Sequence, residues 1–349
     1  MAFTGQLNQN EIFASLYNMI ISVQTFADNV KGTYSALVDK ARVDGSMYGD
    51  TKLYISTDAL ASYEWGNDAE AANLLAIDRP EDPETQAITI DKFRQIRLTT
   101  DNYMSKRAFA TEGAFQQFND VMKGWIRDTK RVYDSTLYNA FIGTAETEVG
   151  EQSMSITPVE GQNDALTMAE ALATLLVNLK DVSRDYNDYG HIRSYDEKDL
   201  IVVWNAKHYN TLKKIDMPTI FHTEGLLNEF DQEVLPARYF GTVGEDPRNG
   251  AADGSVRSLV EQTIGSNHYF PGDAIKVGDA AEAGTYYVVD DTIAFKVIHK
   301  GSVPYMSGFE VATSFFNPRS LTENNYLTFG HNTLAYLKDK PFITARFAE

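Results

Sequence analysis

One stretch constrains this chain more than any other: between Thr99 and Thr144 a strand-like segment feeds a single amphipathic helix of unusual length. Phe115, Phe118, Met122, Trp125, Ile126, Val132, Tyr133, Leu137, Ala140 and Phe141 recur at spacings near three and four, the period that returns side chains to one helix face. About 30 residues in this form span roughly 45 Å, whereas the usual globular helix has about 11–12 residues. A compact enzyme domain has little use for such a rod. It predicts an elongated subunit whose rigid spine holds separate lobes apart. The stripe, Trp125 included, is expected to lie against a core, and Gly143 is placed to cap the C-terminal end. Such a shape points to assembly before catalysis.

Upstream, Ile12, Phe13, Leu16, Tyr17, Ile20, Val23 and Phe26 predict a first helix, and Gly32, Gly45 and Gly49 punctuate an arm-like stretch after it. Thr51–Thr57 alternates, with Leu53 and Ile55 on one side and Lys52, Tyr54 and Ser56 on the other. Arg94–Thr100 does the same, with Ile96 and Leu98 opposed to Gln95, Arg97 and Thr99. Between them lie a helical piece, Asp68–Ile77, and a Pro-flanked turn at Arg79–Glu84. A connection of this length is uncommon inside a compact domain and reads as a protruding flap whose two strands pair with each other. Its apolar residues Leu74, Leu75 and Ile77 are too few for a core and are expected to pack on a neighbouring subunit.

Further on, a strand is expected around Met154–Val159, then a helix with Leu166, Ala169, Leu172, Leu176, Leu179 and Val182 on one face. Leu200–Trp204 reads as a buried strand, with Asn205 as N-cap of a helix ending before Pro218. Gly244–Ser255 has the composition of a flexible surface loop. Tyr286–Val289 and Ile293–Ile298 flank Asp290-Asp291 as in a hairpin, and Phe309–Phe316, Tyr326–Phe329 and Pro341–Phe347 continue the strands. Helices and strands are segregated, which gives an α+β fold without the alternation of a doubly wound sheet.

No catalytic, cofactor-binding or metal-ligating residue can be assigned. Absence of cysteine removes disulfides, thiol nucleophiles and thiolate metal sites. The histidines fall in unrelated contexts: His208 on a helix surface, His222, His299 and His331 elsewhere, none at metal-ligand spacing. Glycines between Gly241 and Gly250 miss the phosphate-binding spacings, and no nucleophile elbow occurs. Asp246, Asn249 and Asp253 miss the one-three-five spacing of a calcium loop, and Asp290 with Asp291 suits a turn better than acid–base work. No apolar run approaches the ~18 residues of a membrane span, so neither a membrane nor a cofactor is expected as a partner. A net charge of −18 argues against a nucleic-acid reader, whose affinity comes from neutralising phosphates. The same sign suits a container wall along which DNA must slide.

The order of elements, and the segments LVDKARVDGSMYGDTKLYISTD (Leu37–Asp58) and FRQIRLTTDNYMSKRAFATEGAFQQFNDVMKGWIRDTKRVYDSTLYNAFIGT (Phe93–Thr144), resemble the major capsid proteins of tailed bacteriophages of Gram-positive hosts. The resemblance implies the Hong Kong ninety-seven fold: an N-terminal arm over residues 1–45, an extended loop over 46–107, a peripheral domain from 108–162 with the spine helix and from 285–349, and an axial domain over 163–284. It implies self-assembly as hexamers and pentamers into an icosahedral head enclosing double-stranded DNA, contacted weakly and non-specifically. Localisation would be the virion, with assembly in the host cytoplasm. Separate scaffolding, portal and decoration proteins are the further partners it suggests, since no helical scaffolding extension precedes the first helix. In the covalently cross-linked subtype a loop lysine joins an asparagine on a neighbour; by position Lys52, Lys92 and Lys106 are the candidates, and cross-linking is not expected. Two alternatives stay open, an encapsulin-type nanocompartment shell and an enzyme with a dispersed site.

Overall fold

A computed structural model of the chain describes residues 36–45, 49–62, 79–101, 112–144, 152–159, 164–213, 231–245 and 285–348. The expected first helix, the flap piece at 68–77, the loop at 246–255, Lys106 and His222 lie outside the described residues, as do the side chains of Phe115, Phe118 and Met122.

The described chain starts with a short helix, α1 (Ala36–Lys40), and strand β1 (Arg42–Asp44), then β2 (Thr51–Ser56) and β3 (Glu84–Asp101). The spine is α2 (Glu112–Thr144), 33 residues long. It is followed by β4 (Ser153–Ile156), α3 (Asp164–Lys180), β5 (Leu200–Asn205), α4 (Ala206–Lys213), β6 (Asp231–Leu235) and β7 (Gly241–Glu245). The C-terminal strands are β8 (Thr285–Val289), β9 (Ile293–His299), β10 (Tyr305–Asn317), β11 (Thr322–Asn332) and β12 (Phe342–Phe347).

Among the described residues these strands build two five-stranded sheets, β1-β10-β11-β3-β2 and β4-β12-β9-β5-β6, and a ribbon, β7-β8. In the first sheet β3 is shared along its length. Glu84–Thr89 pairs with β2, and Ile90–Asp101 pairs with β11, across a register shift beside Asn332. The flap strands therefore do pair, but β2 meets Glu84–Thr89; the expected strand Arg94–Thr100 pairs with β11 instead. The prolines at 80 and 83 lie just before a strand that starts earlier than the alternation suggested.

The second sheet is buried on both faces, which explains the unbroken apolar run Leu200–Trp204. Ile201, Val203, Ile298 and Phe342 turn toward the spine, while Val202, Trp204, Val297, Ile343 and Ala345 turn toward α3. Helix α3 covers its side with Met168, Leu172, Leu175, Leu176 and Leu179, and carries Asp164 and Lys180 at the ends that suit its dipole. Val182 lies beyond that helix and is exposed. Asn205 caps α4 as expected, its side-chain oxygen accepting the Lys207 N–H at 3.0 Å. The expected hairpin at Asp290-Asp291 does not form. β8 pairs with β7, and β9 pairs with β5 and β12, so the turn is a corner between ribbon and sheet. Asp290 builds that corner by accepting from the Thr292 N–H and hydroxyl.

The spine divides into two halves. Every residue from Tyr133 to Gly143 is buried, and Tyr133, Leu137, Tyr138, Ala140, Phe141 and Ile142 join one core with both large sheets and α1. Trp125 reverses the expectation for the other half: it is 57% exposed while Ile126 is 9% exposed. The apolar stripe continues past the part of the helix that the body covers. Gly143 also has a different role from the one its position suggested. It lies within the last turn, and a Cβ there would come within 1.7 Å of the Tyr239 carbonyl oxygen. The helix end needs glycine for close approach.

Buried polar groups lock the spine to the arm and to β10. Asp134 accepts from the Tyr305 hydroxyl at 2.7 Å and from Arg42 at 3.3 Å. His331 Nδ1 faces the Asn332 carbonyl at 2.8 Å, which fixes the proton there, so Nε2 accepts from the Tyr133 hydroxyl at 3.0 Å. Burial depresses the His331 pKa, opposed by Asp134 and Asp91 and helped by Arg94. His299 is depressed as well, chiefly by burial.

Two outcomes follow for the unassembled subunit. Gly143→Ala should destabilise it by about 1–3 kcal/mol through overpacking. Gly124→Ala, where a Cβ meets nothing within 4 Å, should stabilise the helix by roughly 0.5–1 kcal/mol; urea midpoints of the pair check both. Because both histidines are neutral when folded and charge more readily when unfolded, stability is fully present above pH ~6.5 and declines as the pH falls below it. His331→Gln should flatten that decline in midpoints measured from pH 7.5 to 5.5.

Candidate functional site

Strand β2 turns its apolar side outward. Leu53 is 58% and Ile55 63% exposed, while Ser56 is its buried residue. The alternation was legible in the sequence, but its apolar face meets solvent rather than a core. Leu60 continues this exposed surface past the strand.

A second exposed surface lies at the far end of β10. Strand β1 covers the outer edge of β10 only along Tyr305–Ser307, and from Val311 to Phe316 every residue is exposed. Phe315 is 63% exposed, with Val311, Phe316 and Leu321 exposed beside it. The register sets Val311, Thr313 and Phe315 on the face of Thr328, Tyr326 and Asn324. Around them runs a polar ladder, Gln95 to Thr328 at 3.1 Å and Thr99 to Asn324 at 2.7 Å. The turn that closes the hairpin is held by Asn317 accepting from the Arg319 N–H at 3.0 Å, and Leu321 sits at φ 55°. An uncharged, open strand edge carrying two phenylalanines invites another chain. Trp125 on the spine is the third such feature.

None of the described side chains considered for chemistry forms a reaction centre. His208 stays on its helix surface and meets the Asp291 carbonyl at 2.8 Å. His331 is a buried structural group and His299, half-buried, packs separately against Tyr195. Lys52 lies on β2 opposite Ile88, and Lys92 on β3 opposite His331. Among the described residues no group of three or more His, Asp or Glu is placed to hold a metal, and no helix is long and apolar enough to cross a membrane.

One constellation escaped the sequence because its members are far apart: Ser56, His191 and Asp339. The Ser56 hydroxyl donates to Asp339 at 2.6 Å and lies 2.7 Å from His191 Nδ1. Arg193 also donates to that hydroxyl, at 3.0 Å. A nucleophilic serine gives its proton to a histidine that the carboxylate orients. Here the hydroxyl donates its hydrogen bond to the carboxylate, Arg193 donates to the same hydroxyl oxygen, and His191 and Asp339 stand 3.8 Å apart. The group is an anchor.

What remains is a subunit with apolar surface on its flap, its spine and its hairpin. The family model for Phi29-like phage major capsid proteins matches residues 2–344. The chain belongs to the Phi29-like phage major capsid proteins. Solved structures agree on the fold. The capsid of Staphylococcus phage Andhra superposes with a TM-score of 0.64 at 11% identity, over 89% of this chain and 83% of that one. A chain from the structure of the head fiber and inner core protein gp22 of native bacteriophage P68 gives 0.58 at 12% identity, over 88% and 84%. No curated protein sequence matches the chain. This phage major capsid protein has the Hong Kong ninety-seven fold, α+β as its sequence implied, and is a structural component of the virion. The family match favours it over the encapsulin-type alternative.

Since these apolar groups contribute little to the capsid protein's own fold, Ile55→Lys, Phe315→Lys and Trp125→Asp should each change subunit stability by no more than about 0.5 kcal/mol. Each should lower assembly yield, measured by sedimentation of particles against soluble subunit. For Trp125 this reverses what a buried stripe would require.

Proposed function

We propose that the chain assembles with copies of itself as hexamers and pentamers into an icosahedral head that encloses double-stranded DNA. The observation that carries this is the pair of exposed apolar surfaces, Leu53 with Ile55 on the end strand β2 and Val311 with Phe315 on the part of β10 beyond its pairing with β1. Different surfaces meeting head to tail close into rings, and one design of contact serves rings of five and six.

In this reading residues 1–45 are the N-terminal arm, 46–107 the extended loop, 108–162 with 285–349 the peripheral domain, and 163–284 the axial domain around the ring axes. The division is supported by β2 and β3 falling in the loop segment, the spine in the peripheral one, and α3, β5 and β6 in the axial one. β9 and β12 run in the same sheet as β5 and β6, so the two domains join through a continuous ladder. Assembly takes place in the host cytoplasm with separate scaffolding, portal and decoration proteins. The subunit acts without enzymatic activity, metal or cofactor, and Lys52, Lys92 and Lys106 stay uncross-linked.

Electron microscopy of the purified protein should reveal shells, rings or tubes with no added nucleotide or metal. Monomer alone at micromolar concentration, across salt and pH, would overturn the reading. With −18 charges per subunit, counterion release can add little affinity, so an electrophoretic shift with duplex DNA at physiological salt should register only weak binding without sequence preference.

A further inference from the structure

Strand β2 turns Leu53 and Ile55 away from its own body and brings only the half-buried Tyr54 and the buried Ser56 toward it, beside the buried Ile88 of β3. Both strands of the flap are also held there by a set of directed polar bonds. From β2 and the residues after it, Ser56 reaches Asp339, and Arg193 spans Ser56 and the Thr57 carbonyl at 3.0 and 2.8 Å. Asp58 accepts from the Ile192 N–H at 2.8 Å and from Arg184 at 2.6 Å. These two donors, the backbone N–H first, hold its carboxyl far below the usual carboxylate range. From β3, Gln86 donates to the Tyr336 carbonyl at 2.9 Å and accepts from the Lys338 N–H at 3.1 Å.

The receiving surface carries a set of bonds of its own. Ser183 and Arg193 exchange both backbone bonds, at 3.0 and 2.9 Å. Asn187 brackets His191, donating to its carbonyl at 2.7 Å and accepting from its N–H at 2.9 Å. The neighbouring loop at 336–339 is tied to this one by the Asp188 N–H on the Lys338 carbonyl, the Tyr336 hydroxyl on Asp188, and the Tyr195 hydroxyl on the Asp339 carbonyl. Two loops from distant parts of the chain thus form one platform, and the flap plugs into it from both strands.

We propose that Ser56, Asp58 and Gln86 of the flap, with Arg184, Arg193 and Asp339 of the platform, are positioning residues that set the angle at which the flap leaves its subunit, and through it the curvature of the assembled shell. This rests on the reading that copies of the chain assemble through the flap. Apolar contact is non-directional and lets surfaces slide, whereas charge-assisted hydrogen bonds from two strands admit one orientation. The pairs are partly exposed, Arg184 at 53% and Arg193 at 25%, so each adds little stability and the network's product is direction. The 6 residues of β2 extend roughly 20 Å, so a tilt of about 10° at the base moves the far end by about 3–4 Å. That displacement is comparable to a whole residue step along a strand.

The test compares Arg193→Ala and the milder Arg184→Ala with the unmodified full-length chain. In the unassembled subunit, amide exchange over Thr51–Ser56 should rise about tenfold while Leu200–Asn205 keeps its protection. Particles formed by the variants should have broadened or shifted diameters in electron micrographs, and Arg184→Lys, which keeps the charge facing Asp58, should restore the original diameter. Wild-type exchange over β2, or wild-type diameters despite faster exchange, would overturn the proposal. If Arg193→Ala does not fold, Arg184→Ala decides by the same two readouts. Failure of the unmodified chain to assemble would defeat the underlying reading instead.

Discussion

The burial of the spine between Tyr133 and Gly143 is the constraint on which the rest of the subunit depends. That half of the helix has no solvent face, and both five-stranded sheets contribute to the core around it, Leu327 and Phe329 from one, Ile201, Val203 and Phe342 from the other. A helix buried all round cannot tolerate unpaired polar groups. Asp134 inside it therefore sits where partners are built in, against Tyr305 and Arg42. Arg42 belongs to the arm's strand β1, and Tyr305 starts β10. One carboxylate thus ties the arm, the spine and the hairpin to a common point. Gly143 sets how closely the helix end approaches the backbone of Tyr239, and with it the ribbon β7-β8 that follows.

Much of this was legible in the sequence because it rests on period. The long helix, the buried run Leu200–Trp204, the cap at Asn205 and the α3 face all declare themselves through spacing and local chemistry. Period says which side chains share a face, however, and leaves open what that face meets. Trp125 and Ile126 belong to the same stripe, and only Ile126 lies where the body covers the helix. Leu53 and Ile55 alternate as a half-buried strand should, with the apolar half outward. Strand partners were the other gap. Arg94–Thr100 was seen as a strand, but its pairing with β11 spans more than 220 residues, and no local signal encodes a partner that distant. The Asp290 turn was recognised, while the sheets on either side of it were not.

The same separation hides the anchor at the flap base. Ser56, His191 and Asp339 carry no motif, because an anchor requires only that donors and acceptors meet in space. A catalytic triad would have left no stronger trace at these spacings. The two are told apart by the group to which the serine hydroxyl donates, and here that is the carboxylate.

Strand β2 of the flap inverts the rule by which a soluble domain hides apolar groups and exposes polar ones. On β2 and the residues after it, Ser56 and Asp58 face the flap's own subunit, joined by Gln86 and the buried Ile88 of β3, while the apolar groups Leu53 and Ile55 face away. The inversion assigns two kinds of interaction to two tasks. Directional bonds fix an orientation inside the subunit, where a partner is always present. Apolar area, which tolerates small misfits between surfaces, is left facing outward, where copies of a capsid protein meet. A net charge of −18 adds long-range repulsion between copies, so contact area must outweigh it before subunits stay together. The exposed phenylalanines of the hairpin and the tryptophan of the spine supply such area at low cost in side-chain entropy. Such a subunit has its own core around the spine and keeps its remaining apolar area for its neighbours.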